Sequence, residues 1–153
     1  MAIPDLIPIQ HEPDFRTETI GRFDGGLFFA WITGGFPPGY KHGPDWGDHK
    51  RWYAILHRFD HSGNYVDSDI WCPGPGPGHG VDERLAEWLD ALPGREYCDI
   101  AIRPFQLTVD GILFGLVPEC HGEYPDGEEE DDWAEFYPGG LGFSPPWDGL
   151  YDT

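Results

Sequence analysis

The sequence predicts an α+β domain: an antiparallel sheet of about six strands in three hairpins, one helix packed on one face, and long Gly/Pro-rich loops. Three observations predict it. Apolar and aromatic runs come in pairs around short turn signals. One stretch has helical periodicity. The 22 Gly and 16 Pro among 153 residues punctuate everything else. No strand–helix–strand alternation repeats, so a parallel doubly wound sheet is not expected. With 7 Trp, 7 Tyr and 10 Phe the chain has the large apolar groups of a real core, which disordered chains lack. Residues 1–153 read as a single domain.

Residues 1–17 form an extended arm punctuated by Pro4, Pro8 and Pro13, with Ile3, Leu6, Ile7 and Ile9 available to pack on the domain. In TETIGRFDGGLFFAWITG (17–34), Asp24-Gly25-Gly26 sits between two apolar runs and marks the first hairpin, because Gly supplies positive φ. Residues 34–50 read as a loop. The second hairpin joins RWYAILHRFD (51–60) to YVDSDIW (65–71). A four-residue turn there sets Ile55 opposite Ile70, His57 opposite Ser68, Arg58 opposite Asp67 and Phe59 opposite Val66. VDERLAEWLDALPG (81–94) is the helix: Val81, Leu85, Trp88, Leu89 and Leu92 share one stripe, Asp82 suits the N-cap, and Pro93-Gly94 ends it. The third hairpin pairs CDIAIRPFQLTV (98–109) with ILFGLV (112–117) around Asp110-Gly111, giving Val109–Ile112, Leu107–Phe114 and Phe105–Leu116. Pro104 marks a bulge or an edge position in its first strand. Residues 118–153 read as an acidic, aromatic segment docked on the domain. It contains Tyr-Pro-x-Gly turns at Tyr124 and Tyr137, and one helical turn is expected over 131–136.

Charge narrows the function. The chain has 28 acidic and 9 basic residues, a net charge of −19, and residues 104–153 contain no Lys or Arg. Such a chain repels phosphate backbones and anionic bilayers, so neither nucleic acid nor membrane is an expected partner. It attracts a basic protein or a cation instead. The start of the chain lacks the basic and apolar regions of a secretory signal. Three cysteines without CxxC spacing do not suggest a disulfide framework, so a cytoplasmic setting with reduced thiols is expected.

Chemical motifs are sparse. In CPGPGPGHG (72–80) three prolines lack the N–H groups a phosphate cradle needs, and no Lys-Ser/Thr follows, so the stretch reads as a spacer. Ser62, Ser68 and Ser144 lie outside any GxSxG, and no catalytic residue or cofactor is assigned. His57 shares its strand face with Tyr53, Ile55 and Phe59 and reads as a half-buried structural histidine. His42, Asp45, Asp48 and His49 form the one candidate metal cluster. The candidate partner-binding residues are Glu128, Glu129, Glu130, Asp131, Asp132, Trp133, Phe136 and Tyr137, where aromatic rings could bury area within a field that steers a basic protein.

The segments HEPDFRTETIGRF, HKRWYAILHRFD, DSDIW, RLAEWLDALPGREY, DIAIRPF and PWDGLYDT span most of the chain apart from the Gly/Pro loop and the acidic run. They resemble a family of small acidic proteins from high-GC Gram-positive bacteria that carries the label formate hydrogenlyase regulatory protein. The resemblance implies a protein-level regulator and transfers no site residue. The expected function is therefore a non-enzymatic regulatory or inhibitory protein that binds a basic protein. The alternatives are a small-molecule binder or enzyme with a Trp/His-lined pocket rimmed by loop 34–50, and a metal-binding protein using the 42–49 cluster.

Overall fold

The structure is a computed structural model that describes residues 3–37, 39–41, 43–119 and 132–152. The strands are β1 (Ile7–Ile9), β2 (Ile20–Phe23), β3 (Gly26–Gly35), β4 (Arg51–Phe59), β5 (Tyr65–Trp71), β6 (Glu96–Tyr97), β7 (Ile100–Ile102), β8 (Phe105–Val109), β9 (Ile112–Glu119), β10 (Trp133–Tyr137) and β11 (Leu141–Phe143). The helices are α1 (Trp46–His49) and α2 (Val81–Asp90). The fold is mostly antiparallel β with a small helical part. The strands build a five-stranded sheet of order β5-β4-β3-β2-β6, a four-stranded sheet of order β11-β10-β9-β8, and the pair β1-β7.

Period-two alternation along β3 and β4 sorts their side chains between two cores. Phe28, Ala30, Ala54 and Leu56 pack with Val81, Leu85, Leu89 and Leu92 of the helical segment. Phe29, Trp31, Tyr53, Ile55 and Phe59 face the other way, into a cluster with Phe105, Phe114, Leu116, Phe136, Leu141 and Phe143 of the second sheet. The layers are thus helix, five-stranded sheet and four-stranded sheet.

All three expected hairpins form, but not in one sheet. Ile55–Ile70, His57–Ser68 and Arg58–Asp67 pair as expected, while a bulge between Arg58 and Phe59 sets Phe59 opposite Tyr65 instead of Val66. The bulge turns Val66 out to solvent. Val109–Ile112, Leu107–Phe114 and Phe105–Leu116 also pair as expected. Pro104 interrupts the segment before them more completely than a bulge would. Ile100–Ile102 pairs with the N-terminal arm through Ile7–Ile102 and Ile9–Ile100, and the chain then enters the second sheet at Phe105.

Other expectations need correction. The residue before the first turn of α2 is Gly80, at φ 90°, rather than Asp82; Asp82 and Glu83 lie inside that turn, where carboxylates suit the helix dipole. Residues 133–136 form strand, not a helical turn, because Ala134 and Phe136 point into the core with period two. The Gly/Pro loop is more than a spacer: the Gly76 N–H donates to the Lys50 carbonyl at 2.9 Å, and Gly78 lies against Trp52. The C-terminal segment docks as expected. Gly142 and Asp152 exchange two backbone hydrogen bonds of 2.8 Å, and the Gln10 N–H donates to the Gly149 carbonyl at 2.9 Å.

Close strand approach at one glycine gives a test. Gly115 in β9 has φ +130°, and a Cβ there would lie 2.2 Å from the Phe105 carbonyl oxygen. The obstruction is backbone, so it cannot swing aside. Gly115→Ala should cost on the order of 3 kcal/mol, read as a lower urea midpoint at unchanged slope. An unchanged midpoint would show that β8 and β9 do not pack this closely.

Candidate functional site

The second sheet has an inner and an outer face. On β10, Ala134 and Phe136 are buried, while Trp133, Glu135 and Tyr137 alternate with them on the outer face at intermediate exposure. The neighbouring strands add to that face. Glu119 pairs with Trp133, and Gly142 pairs with Glu135. The Tyr137 hydroxyl donates to a Glu119 carboxylate oxygen at 2.6 Å. That hydrogen bond, followed by burial and the nearby Glu135, holds the phenol protonated far above its ordinary range. Trp133, Glu135, Gly140, Gly142, Ser144 and Asp152 line a shallow cavity of about 240 Å³. The face therefore combines an indole, a phenol and three carboxylates, and its lining contains no Lys or Arg.

This outcome divides the expected partner-binding residues. Trp133 and Tyr137 lie on the outer face, and Asp132 is half-buried just before β10. Phe136 is withdrawn from the set: it is fully buried and stacks on Phe29 with ring centroids 4.0 Å apart. Glu128, Glu129, Glu130 and Asp131 lie outside the described residues. Sequence reasoning did not place Glu119, Glu135 or Asp152 in the partner-binding set. The Trp-x-Glu-x-Tyr alternation at 133–137 was the available signal, hidden by reading the stretch as a helical turn.

Of the candidate metal cluster, His42 lies outside the described residues. Asp45 and His49 form an exposed i, i+4 pair on α1, with the imidazole Nε2 2.9 Å from the carboxylate. The hydrogen bond to His49 holds Asp45 below the usual carboxylate range. Asp48 lies in the same turn, with its backbone N–H on the Asp45 carbonyl at 3.0 Å. Among the described residues, no group of three or more His, Cys, Asp or Glu side chains is gathered as a metal site would require.

A second region lies at the far end of β3. Arg16, Ile32, Thr33, Gly34, Lys50, Trp52, Pro138 and Gly139 line a cavity of about 440 Å³. Gly34 and Lys50, the two ends of the 34–50 segment, are among them, with Trp but without His in the described lining. An adjoining groove of about 570 Å³ runs between Arg16, Ile32 and the helix residues Leu85, Ala86 and Leu89, and includes Asp14, Glu18 and Asp82.

His57 lies in neither cavity. It is fully buried rather than half-buried. Its Nδ1 is 2.5 Å from Ser68 Oγ, which is in turn 2.8 Å from the Tyr65 hydroxyl. Nε2 is buried without a hydrogen-bond partner among the described residues, and the ring packs edge-on against Phe105 at 4.8 Å. A proton on Nδ1 satisfies the Ser68 contact and leaves Nε2 as a bare lone pair, the cheaper atom to strand. Burial among aromatic rings pushes the imidazole down to about 3.

No protein-family model matches the chain, and neither a curated protein nor a solved structure matches it significantly.

The His57 environment makes stability pH-dependent. The folded value of about 3 lies below the ordinary 6.5, so between these values the unfolded chain binds more protons. The contribution is fully present above about pH 6.5 and is lost as pH falls toward 3. Relative to His57→Leu, the wild-type protein should lose about 2 kcal/mol of unfolding free energy between pH 7 and pH 5, measured by urea titration. A difference that stays constant with pH would mean that the buried imidazole titrates normally.

Proposed function

We propose that the protein is a non-enzymatic regulatory or inhibitory protein that binds a basic protein on the outer face of β9, β10 and β11. The observation that supports this most is the side-by-side placement of Trp133, Glu135 and Tyr137 on one exposed strand face, with Glu119 and Asp152 on the strands and tail beside it. Trp and Tyr bury area at little entropic cost, and their polar tips stay satisfied at a wet rim. Carboxylates around them accelerate encounter with a cationic surface and discriminate against acidic partners. The Tyr137–Glu119 hydrogen bond holds two of these groups in fixed relation before binding, which lowers the ordering cost. A partner guanidinium would accept this arrangement well, since it stacks on an indole and meets carboxylates in the same plane. The regulator implied by the family resemblance would act through such a contact. The net charge of −19 adds long-range steering toward the same class of partner.

The test is an NMR titration with an Arg-rich tetradecapeptide as the cationic probe. Amide shifts should concentrate on β9, β10, β11 and Asp152. The triple variant Glu119→Gln, Glu135→Gln, Asp152→Asn should weaken binding by roughly tenfold and reduce its salt dependence. Shifts centred instead on the acidic start of α2, or binding unchanged in the variant, would contradict the assignment.

A further inference from the structure

The end of β3 presents an open strand edge between two cations that have no carboxylate partner among the described residues. Antiparallel pairing fixes which backbone groups point there. Ala30 directs its N–H to the Thr19 carbonyl at 3.0 Å, and its carbonyl accepts from the Thr19 hydroxyl at 2.5 Å, so Ala30 faces the β2 side of β3. The β3–β4 register runs without a shift from Leu27–Phe59 to Gly35–Arg51. The alternation therefore turns the N–H and C=O of Ile32 and Gly34 to the same side as those of Ala30. β2 pairs with β3 only over Gly26 to Phe29, so it has ended before this point. Among the described residues no hydrogen bond reaches the Ile32 or Gly34 backbone from that side. Both residues line the 440 Å³ cavity.

The charges flanking this edge lie on opposite faces of the sheet. Lys50 crosses the face on which Gly34 lacks a side chain: a Cβ at Gly34 would lie 2.2 Å from Lys50 Cε. Its ammonium is 4.2 Å from the Trp52 ring centroid and 5.9 Å from that of Trp46. Arg16 lies on the Thr33 face, with Nη2 3.5 Å from Thr33 Oγ1 and its guanidinium 5.2 Å from the Trp31 centroid. Neither cation forms an ion pair with a described residue, although the chain holds 28 acidic side chains. Indole faces hold both, so neither charge is neutralised by a described carboxylate. Among the described residues no carboxylate lines this cavity, whereas Asp14, Glu18 and Asp82 line the adjoining groove.

We propose that the Ile32–Gly34 edge binds an extended peptide by β-strand addition, and that the preferred peptide carries two adjacent acidic residues. An added strand satisfies the open Ile32 and Gly34 backbone groups. Its successive side chains point to opposite faces, so neighbouring residues meet Lys50 on one face and Arg16 on the other. Two acids at adjacent positions use both cations; two acids at alternate positions would use one. The adjoining carboxylates confine the acidic pair to the Gly34 end. The negative net charge opposes an acidic ligand only weakly, because at physiological salt exposed charges more than about 8 Å away are largely screened. The competing explanation is protective, since charged groups at an edge also discourage unwanted strand pairing.

Fluorescence anisotropy with short labelled peptides separates these. The probe is Thr-Val-Asp-Glu-Val-Thr, compared with Thr-Val-Lys-Lys-Val-Thr and with two versions of the acidic peptide N-methylated at alternate amides. The acidic peptide should bind and the lysine peptide should not. One N-methylated version should lose binding and the other keep it, because alternate amides point to the edge and away from it. Lys50→Gln and Arg16→Gln should each weaken binding by about fivefold. The N-methylation comparison uses the unmodified protein and does not depend on the variants folding. Absence of binding, equal binding of both N-methylated versions, or binding unaffected by both substitutions would overturn the proposal, the first of these leaving the cations a protective role only.

Discussion

The aromatic seam between the two sheets is the constraint on which the rest of the structure depends. Phe29 and Phe136 stack across it at 4.0 Å, Trp31 meets Phe136 edge-on at 5.3 Å, and Tyr65 stacks on Phe105 at 4.7 Å. Each sheet alone would expose one apolar face; together they exclude water from both. His57 sits within this seam, and burial there pushes its imidazole down to about 3. The helix seals the opposite face of the five-stranded sheet through a smaller aliphatic core, so β3 and β4 are covered on both sides. Because β10 contributes Phe136 to the seam, its alternate residues are forced outward. The position of Trp133, Glu135 and Tyr137 follows from the burial of their neighbours.

The same geometry separates the charges. The last fifty residues carry acids without Lys or Arg, and their strands form the outer layer away from the helix. The groove cations come from elsewhere: Arg16 from the N-terminal arm, and Lys50 from the residue that ends α1. They meet beside β3 because β2 is shorter than β3 and leaves the end of it uncovered. Other cations are used locally, with Arg58 bound to Asp67 and Asp69, and Arg22 to Glu96. Arg16 and Lys50 instead lie over indole rings and form no ion pair with a described residue. One molecule thus presents an acidic aromatic face and a cationic strand edge, chemistries that suit different partners.

Much of the local structure was legible in the sequence. Asp110-Gly111 sets the third hairpin, and matching Ile55 to Ile70 sets the register of the second, because both are decided by neighbouring residues. The stripe Val81, Leu85, Leu89 identifies α2. The division into sheets was not legible, since the partners of β8 and β10 are set by long-range packing. Pro104 signalled an interruption, but not that the chain would leave one sheet for another. Phe136 and Trp133 have similar composition value, and only strand periodicity tells which is inside. The open edge of β3 was invisible for a related reason: it arises from a mismatch in length between β2 and β3, which no single segment encodes.

The central claim is that β10 is locked into the fold by its inner face, so that its outer face is a rigid platform. Native-state hydrogen exchange in increasing denaturant tests this directly. The backbone amides of Ala134 and Phe136 should open with the same free energy as those of Phe29 and Ile55, merging into one global unfolding event. Opening of β10 at a free energy several kcal/mol lower than that of β3 and β4 would contradict the account, since the seam would then not hold the platform in place.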